Sequence, residues 1–203
     1  MLSKFELDGK LNPNFSAGPF ELAISSIKAV MTPAKDEETA RFVHLSSAGV
    51  TRPGRPDLDV EAEPPAVRMN DMLSYLLTYK LKGEDVIRNS DIVSTIIRPV
   101  ALTEEPAGAP MIVAQGDVIK GKISRDDIAE LAVGSLLTPK AAGLTFEVKS
   151  DLAFSTIWEA QSGAPPRDYG EILDPLTEGI TGKEWMGNRS PEEAQGVPAT
   201  QQA

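Results

Sequence analysis

Residues 92–98 read IVSTIIR, a nearly continuous β-branched run. β-Branched side chains are stiff at χ1 and pack well on a pleated surface, and a run without polar alternation marks a strand buried on both faces. Such strands belong to sheets covered by helices on each side, so this segment points toward an α/β architecture. The surrounding sequence alternates accordingly. Residues 41–45 (RFVHL) form a short apolar strand that ends in the small-residue loop Ser46-Ser47-Ala48-Gly49. Over 68–89, Met69, Met72, Leu73, Leu76, Leu77, Val86 and Ile87 keep mostly helical spacing, with Gly83 weakening the middle of that helix. Residues 111–115 and 144–148 (LTFEV) read as further strands. Between them, Ser124-Arg125-Asp126-Asp127 opens a helix with an S-x-x-D cap. Its apolar face is Ile128, Leu131, Ala132, Leu136 and Leu137, and Pro139 ends it. Alternating strands and helices imply βαβ units and a mostly parallel sheet.

The flanks read differently. Phe20, Leu22 and Ile24 alternate with Glu21, Ala23 and Ser25, a half-buried strand, and residues 31–39 are a polar, proline-containing linker. Residues 52–65 are too rich in proline for helix or central strand. From Gly187 onward the chain is Pro/Gln/Ala/Gly-rich without periodicity, the composition of a mobile tail. The expected organisation is therefore 1–30, a linker at 31–40, an α/β domain at 41–186 and a tail at 187–203.

Composition narrows the chemistry. Twenty Lys and Arg face 30 Asp and Glu, a net charge of −10, which disfavours phosphate-backbone binding and so excludes DNA as a partner. RNA finds little support either, because no basic stripe interleaved with aromatics occurs. There is no cysteine and one histidine, His44, which removes disulfides, thiol nucleophiles, Cys-based zinc sites and multi-histidine metal sites. No apolar run approaches the roughly 18 residues of a membrane span, and MLSKFELDGK lacks the apolar core of a signal peptide.

The short motifs carry little chemistry. Gly116-Asp-Val-Ile-Lys-Gly121-Lys122 has P-loop spacing, but Ile123 stands where Ser or Thr must hold magnesium, and Asp117 puts a negative charge where phosphate would sit. No G-x-G-x-x-G turn is present. The adjacent pairs Glu104/Glu105 and Asp126/Asp127 point in different directions and read as solvated or helix N-terminal carboxylates. His44, inside an apolar run, reads as a core or ladder residue.

The runs FVHLSSAGV (42–50), YKLKGEDVIRNS (79–90), TIIRPVALTEEPAGA (95–109) and GKISRDDIAELAV (121–133) together resemble the atypical short-chain dehydrogenase/reductases, the NmrA-like NAD(P)-binding family. The resemblance implies a Rossmann-like sheet, of which residues 42–147 are similar to the second half only. Residues 5–27 resemble the end of a complex I assembly factor-type β-sandwich, which in plant and algal plastid proteins is fused to this reductase fold. In active members a serine at a strand end and a Tyr-x-x-x-Lys pair on the next helix protonate the substrate carbonyl as hydride transfers from the nicotinamide. Anchored on Glu84 and on Arg98-Pro99, the family lysine falls at Lys80, and Leu76 stands in the tyrosine's place, where no proton can be donated. Tyr75 and Tyr79 are one and three residues out of phase. The candidate catalytic residues are thus Ser46, Ser47, Tyr79 and Lys80, and the candidate cofactor contacts are Lys80, Arg98 and Pro99 when the missing half is supplied. Leu76 itself fits an apolar core stripe with Met69, Met72 and Leu73.

The resemblance implies a non-catalytic scaffold or assembly factor of a photosynthetic or respiratory complex. The alternatives are an NAD(P)-dependent oxidoreductase and an RNA-associated plastid translation factor. It implies a soluble chloroplast protein, in the stroma or on the stromal face of the thylakoid and peripheral to the membrane. Its partners are proteins of a larger complex, a photosystem foremost. No cofactor is expected on this chain alone, while the full-length protein could hold NAD(P). Residues 92–98, only partly flanked in a half sheet, are expected to leave an unpaired apolar edge prone to association.

Overall fold

The computed structural model describes residues 42–56, 58–160, 166–187 and 189–198. The β-sandwich end and the linker expected over residues 1–40 lie outside the described residues. β1 (Phe42–Leu45), β2 (Ser94–Pro99), β4 (Met111–Ala114) and β6 (Thr145–Ser150) form one sheet in the order β1-β2-β6-β4. β1 and β6 pair parallel with β2, and β4 runs antiparallel to β6. A second, two-stranded sheet pairs β3 (Ala101–Thr103) with β5 (Lys122–Ser124) in parallel. The architecture is α/β with a mostly parallel, Rossmann-like sheet.

β2 is an interior strand. Phe42 to Leu45 register against Ser94 to Ile97 on one side, and Thr145 to Val148 against Ile96 to Pro99 on the other. The unpaired edge expected for this run does not arise, because β1 and β6 close both of its ladders. The strand also starts at Ser94, leaving Ile92 and Val93 exposed ahead of it. Its two faces differ in kind. Ile97 joins Phe146, Val148, Ile123, Ile128 and Leu131 in the larger apolar core. Arg98 and Glu147 project from the opposite face, as the two-residue period of the strands demands.

Two helices cover these faces. α3 (Arg125–Leu137) begins at Ser124, whose hydroxyl accepts the Asp127 amide at 2.9 Å as the S-x-x-D pattern predicts. Its buried stripe is Ile128, Leu131, Gly134 and Ser135, whereas Leu136 and Leu137, expected on the core face, are exposed. The stripe turns because α4 (Tyr169–Leu173) crosses at Gly134, where a Cβ would lie 2.2 Å from the Tyr169 ring.

α2 (Leu76–Arg88) is shorter than the spacing predicts. Residues 65–68 form a separate turn of helix, α1 (Pro65–Arg68), and Ser74 and Tyr75 take left-handed backbone conformations at φ 55° and 57°. The helix starts where Asn70 reaches forward to accept the Leu77 amide at 2.9 Å. Met69, Met72, Leu73 and Leu76 therefore do not form a core stripe. They are exposed, and Leu77 and Leu81 enter the smaller core with Val50, Val67 and Met186 instead. Gly83 leaves α2 unbroken. The aperiodic C-terminal sequence holds α5 (Pro191–Gln195), opened by a Ser190–Glu193 capping box. Gln195 donates to the Val50 carbonyl at 2.8 Å.

Candidate functional site

Lys80 lies on the first turns of α2, and its ammonium donates to the Ser46 carbonyl at 3.2 Å. Ser46 is held in place by continuation of the β1–β2 ladder past the last strand residue. The Ser46 amide donates to Ile97 O at 2.8 Å and the Ala48 amide to Pro99 O at 2.9 Å. Burial holds the Lys80 amine below its ordinary value, and the Glu84 carboxylate one turn along works the other way. Lys80 thus meets the backbone of the serine loop, and no bond to either serine hydroxyl is involved.

Leu76 lies one turn before Lys80 on the same side of α2, and it is 47% exposed. Leu76, which the family resemblance sets in the tyrosine's place, is thus an apolar side chain open to solvent. Tyr79 is half-exposed and its ring faces Lys82, with the ammonium 5.7 Å from the centroid. Tyr75 turns toward the C-terminal segment, its hydroxyl donating to Gly196 O at 3.4 Å. On a helix each residue turns by about 100°, so Tyr79 cannot take Leu76's direction, and Tyr75 lies ahead of α2 in a left-handed turn. The Ser47 hydroxyl donates to its neighbour's carbonyl, Ala48 O, at 3.2 Å.

Arg98 is fully buried. Its Nε and Nη2 donate to the two Glu84 oxygens at 2.9 and 2.7 Å, and Nη1 donates to the Thr181 carbonyl at 2.7 Å. Arg88 adds a second contact to Glu84. This network lies on the side of β2 facing α2, where Arg98 is occupied by protein groups, and Pro99 ends the strand beside it. His44 looks into the same region from β1. Burial lowers its pKa, with Glu84 opposing that and Lys80 and Arg88 adding to it.

The glycine-flanked loop at 116–121 is the reverse of a phosphate cradle. Asp117, at φ 59° and fully buried, is itself the anion. It accepts the Gly49 amide at 2.6 Å and the Thr51 amide and hydroxyl at 2.8 Å each, with Arg52 Nη2 at 3.3 Å. Arg52 also donates to Asp117 O at 3.0 Å and Ile119 O at 2.6 Å, and to Glu63 at 3.1 Å. The other carboxylate pairs diverge as expected. Glu104 meets Arg125 at the surface while Glu105 meets the buried Lys122, and Asp126 is solvated while Asp127 accepts from Arg167 at 2.7 Å.

The ionic network was not foreseen. Its signal is present in the sequence, because Arg98 follows Ile96-Ile97 and Glu147 sits between Phe146 and Val148, and the β2–β6 pairing puts the two charges in register. Burial, with Asp117 close by, pushes the Glu147 carboxyl up to about 7 against the pull of Arg98.

Two clefts lie away from Lys80. One, of about 890 Å³, is wide and open between α3 and residues 166–170. The other, of about 500 Å³, lies at the N-terminal ends of β2 and β6. Neither is lined by Ser46, Leu76 or Lys80, so the cavities and the lysine–serine pair are separate features.

The model of an NAD(P)H-binding family matches residues 9–139. That match runs through the segment read as a β-sandwich end and gives the sandwich no support. An uncharacterized chloroplastic protein of Arabidopsis thaliana is 30% identical over 110 residues, 54% of this chain and 36% of that protein. The chloroplastic Arabidopsis thaliana protein High Chlorophyll Fluorescence Phenotype 173 is 31% identical over 143 residues, 70% of this chain and 21% of its own length. The chain thus spans about a third and a fifth of these curated relatives. Among solved structures, a Bacillus halodurans protein assigned as an NAD-dependent epimerase/dehydratase is 22% identical, covering 68% of this chain and 52% of its own, with a TM-score of 0.47. A short-chain dehydrogenase/reductase of Veillonella parvula in complex with NADP is 15% identical, covering 57% and 52%, with a TM-score of 0.42. With the family model spanning well over half of its residues, the chain belongs to the NAD(P)H-binding family.

Proposed function

We propose that this chain is a non-catalytic member of its family, acting in the chloroplast as a scaffold or assembly factor of a photosynthetic complex. The carrying observation is Leu76, which is solvent-accessible one turn from Lys80 where carbonyl reduction needs a proton donor. Removing a general acid costs roughly 10²–10⁴ in rate. The chloroplastic relatives support the compartment, and the name of one of them agrees with a part in photosynthesis. No described helix is long and apolar enough to cross a membrane, which fits attachment through protein contacts.

The second reading is an NAD(P)-dependent reductase. Lys80 favours it: an ammonium has three donors, and beyond the bond to Ser46 the others suit a ribose diol. The test is to assay the protein with NADPH and a panel of quinones and aldehydes, beside a Tyr79→Phe variant. No turnover above background is expected in either. Turnover that disappears on Tyr79→Phe would overturn the proposal and establish the reductase. In fractionated chloroplast extracts the protein is expected to migrate with a larger assembling complex, and migration only at its own size would remove the scaffold half.

A further inference from the structure

Glu147 is fully buried, and its Oε1 meets no hydrogen-bond donor. Its Oε2 accepts the Val118 amide at 3.2 Å. The nitrogen facing Oε1 is Arg98 Nη1, an ion pair at 3.6 Å and beyond hydrogen-bond reach, while the same nitrogen donates to the Thr181 carbonyl at 2.7 Å. The surrounding charges are assigned elsewhere. From β2, Arg98 turns Nε and Nη2 to Glu84, which Arg88 of α2 also holds. From the loop after β4 comes Asp117, a second buried acid, and from the loop after β1 comes Arg52, shared between Asp117 and Glu63. Lys120 is taken by Glu63 at 2.7 Å. Residue 181 offers only a carbonyl. Glu147 is therefore a buried carboxyl whose one cation, Arg98, is shared with Glu84 and lies beyond hydrogen-bond reach, positioned between the Arg98 clamp and the Asp117 clamp.

We propose that Glu147 is a protonation switch that holds the loop after β1 closed when neutral and loosens it when ionised. As a neutral acid it leaves Arg98 on Thr181 and leaves Asp117 on the amides of Gly49 and Thr51. As an anion it draws Arg98 Nη1 toward itself, in competition with the Thr181 carbonyl, and repels Asp117, weakening the bonds that fix residues 49–52. That loop continues directly from Ser46 and Ser47, so the switch acts beside the lysine–serine pair. The only chemistry is loss of a proton to solvent. The raised pKa of Glu147 agrees with this geometry.

Amide exchange of the full chain tests this, measured between about pH 6 and about pH 8.5 and corrected for intrinsic base catalysis. Gly49 and Thr51 are expected to lose protection by about tenfold or more across this range. Val118, whose acceptor gains charge, keeps its protection. Glu147→Gln abolishes the dependence. Equal loss at all three amides, pH-independent protection, or the same dependence in Glu147→Gln would overturn the proposal. Should that variant fail to fold, the ¹³C shift of the wild-type Glu147 carboxyl decides. A midpoint tracking the loss at Gly49 and Thr51 upholds the switch, and a carboxyl ionised throughout refutes it.

Discussion

The two faces of the sheet solve the same problem with opposite chemistry. On one, Ile97, Phe146 and Val148 meet Ile123, Ile128 and Leu131 of β5 and α3 in a dry apolar layer. On the other, the neighbouring residues Arg98 and Glu147 meet Glu84 of α2 and the buried Asp117. The apolar layer is held by area removed from water, a non-directional contribution to which every neighbour adds. The ionic layer has paid the desolvation of its charges and is held only while each keeps its partner. A truncation therefore costs the first face in proportion to volume, and the second in proportion to the charge left unmatched.

The largest test of that contrast is Arg98→Met. It leaves the buried Glu84 with Arg88 alone and Glu147 with no ion-pair partner, and is expected to cost about 3–5 kcal/mol in urea unfolding, with part regained when Glu84→Leu is added. Phe146→Ala should cost a similar ~3–5 kcal/mol, but no shrinkage of a neighbour should restore it. Recovery on the apolar face, or its failure on the ionic one, would break the comparison.

Next in size is Glu147→Gln. The folded protein holds the Glu147 proton up to about 7, against 4.5 for an ordinary carboxyl, so the folded state binds the proton more tightly than the unfolded state. The stability this provides is present below about 4.5 and is lost as pH rises toward about 7, then stays constant. Such a displacement corresponds to at most ~3 kcal/mol. Glu147→Gln should thus raise the melting temperature at pH 8 relative to wild type and change it little at pH 4. An equal gain at both pH values would show that the carboxyl is not proton-linked.

Gly134→Ala probes the apolar side through shape alone. The added methyl meets the Tyr169 ring, and a loss of about 1–3 kcal/mol is expected, removed in a Tyr169→Ala background. The smallest effects belong to neither face. Ser124→Ala removes the α3 cap for ~1 kcal/mol in thermal unfolding. Glu104→Gln at the exposed Arg125 pair should change stability by no more than about 0.5 kcal/mol.

Much of the fold was legible because its signals are local. The β-branched run of β2, the Ser124 cap, the short strands β1 and β6 and the turn after β1 each depend on residues within one turn or one strand. Less was legible in α2. Helical spacing continues through Met69, Met72 and Leu73, yet Asn70 caps Leu77 across a left-handed turn that the pattern does not reveal. The family resemblance singled out Lys80 and Ser46 but not the network of Arg98, Glu147 and Asp117. Its members come from residues 49–52, 84, 98, 117 and 147, which no spacing rule connects.

By itself, then, the sequence determined the elements, their alternation, and the absence of thiol and multi-histidine chemistry, because these depend on composition and on periods of two and 3.6 residues. It also placed leucine at position 76, four residues before Lys80. The tertiary structure alone decided that Leu76 faces solvent, that Asp117 fills its own anion nest, and that Glu147 Oε1 meets no hydrogen-bond donor. These are matters of burial and of partners far apart in the chain. A carboxylate's charge is written in its residue type, but whether it keeps that charge depends on what the fold packs against it.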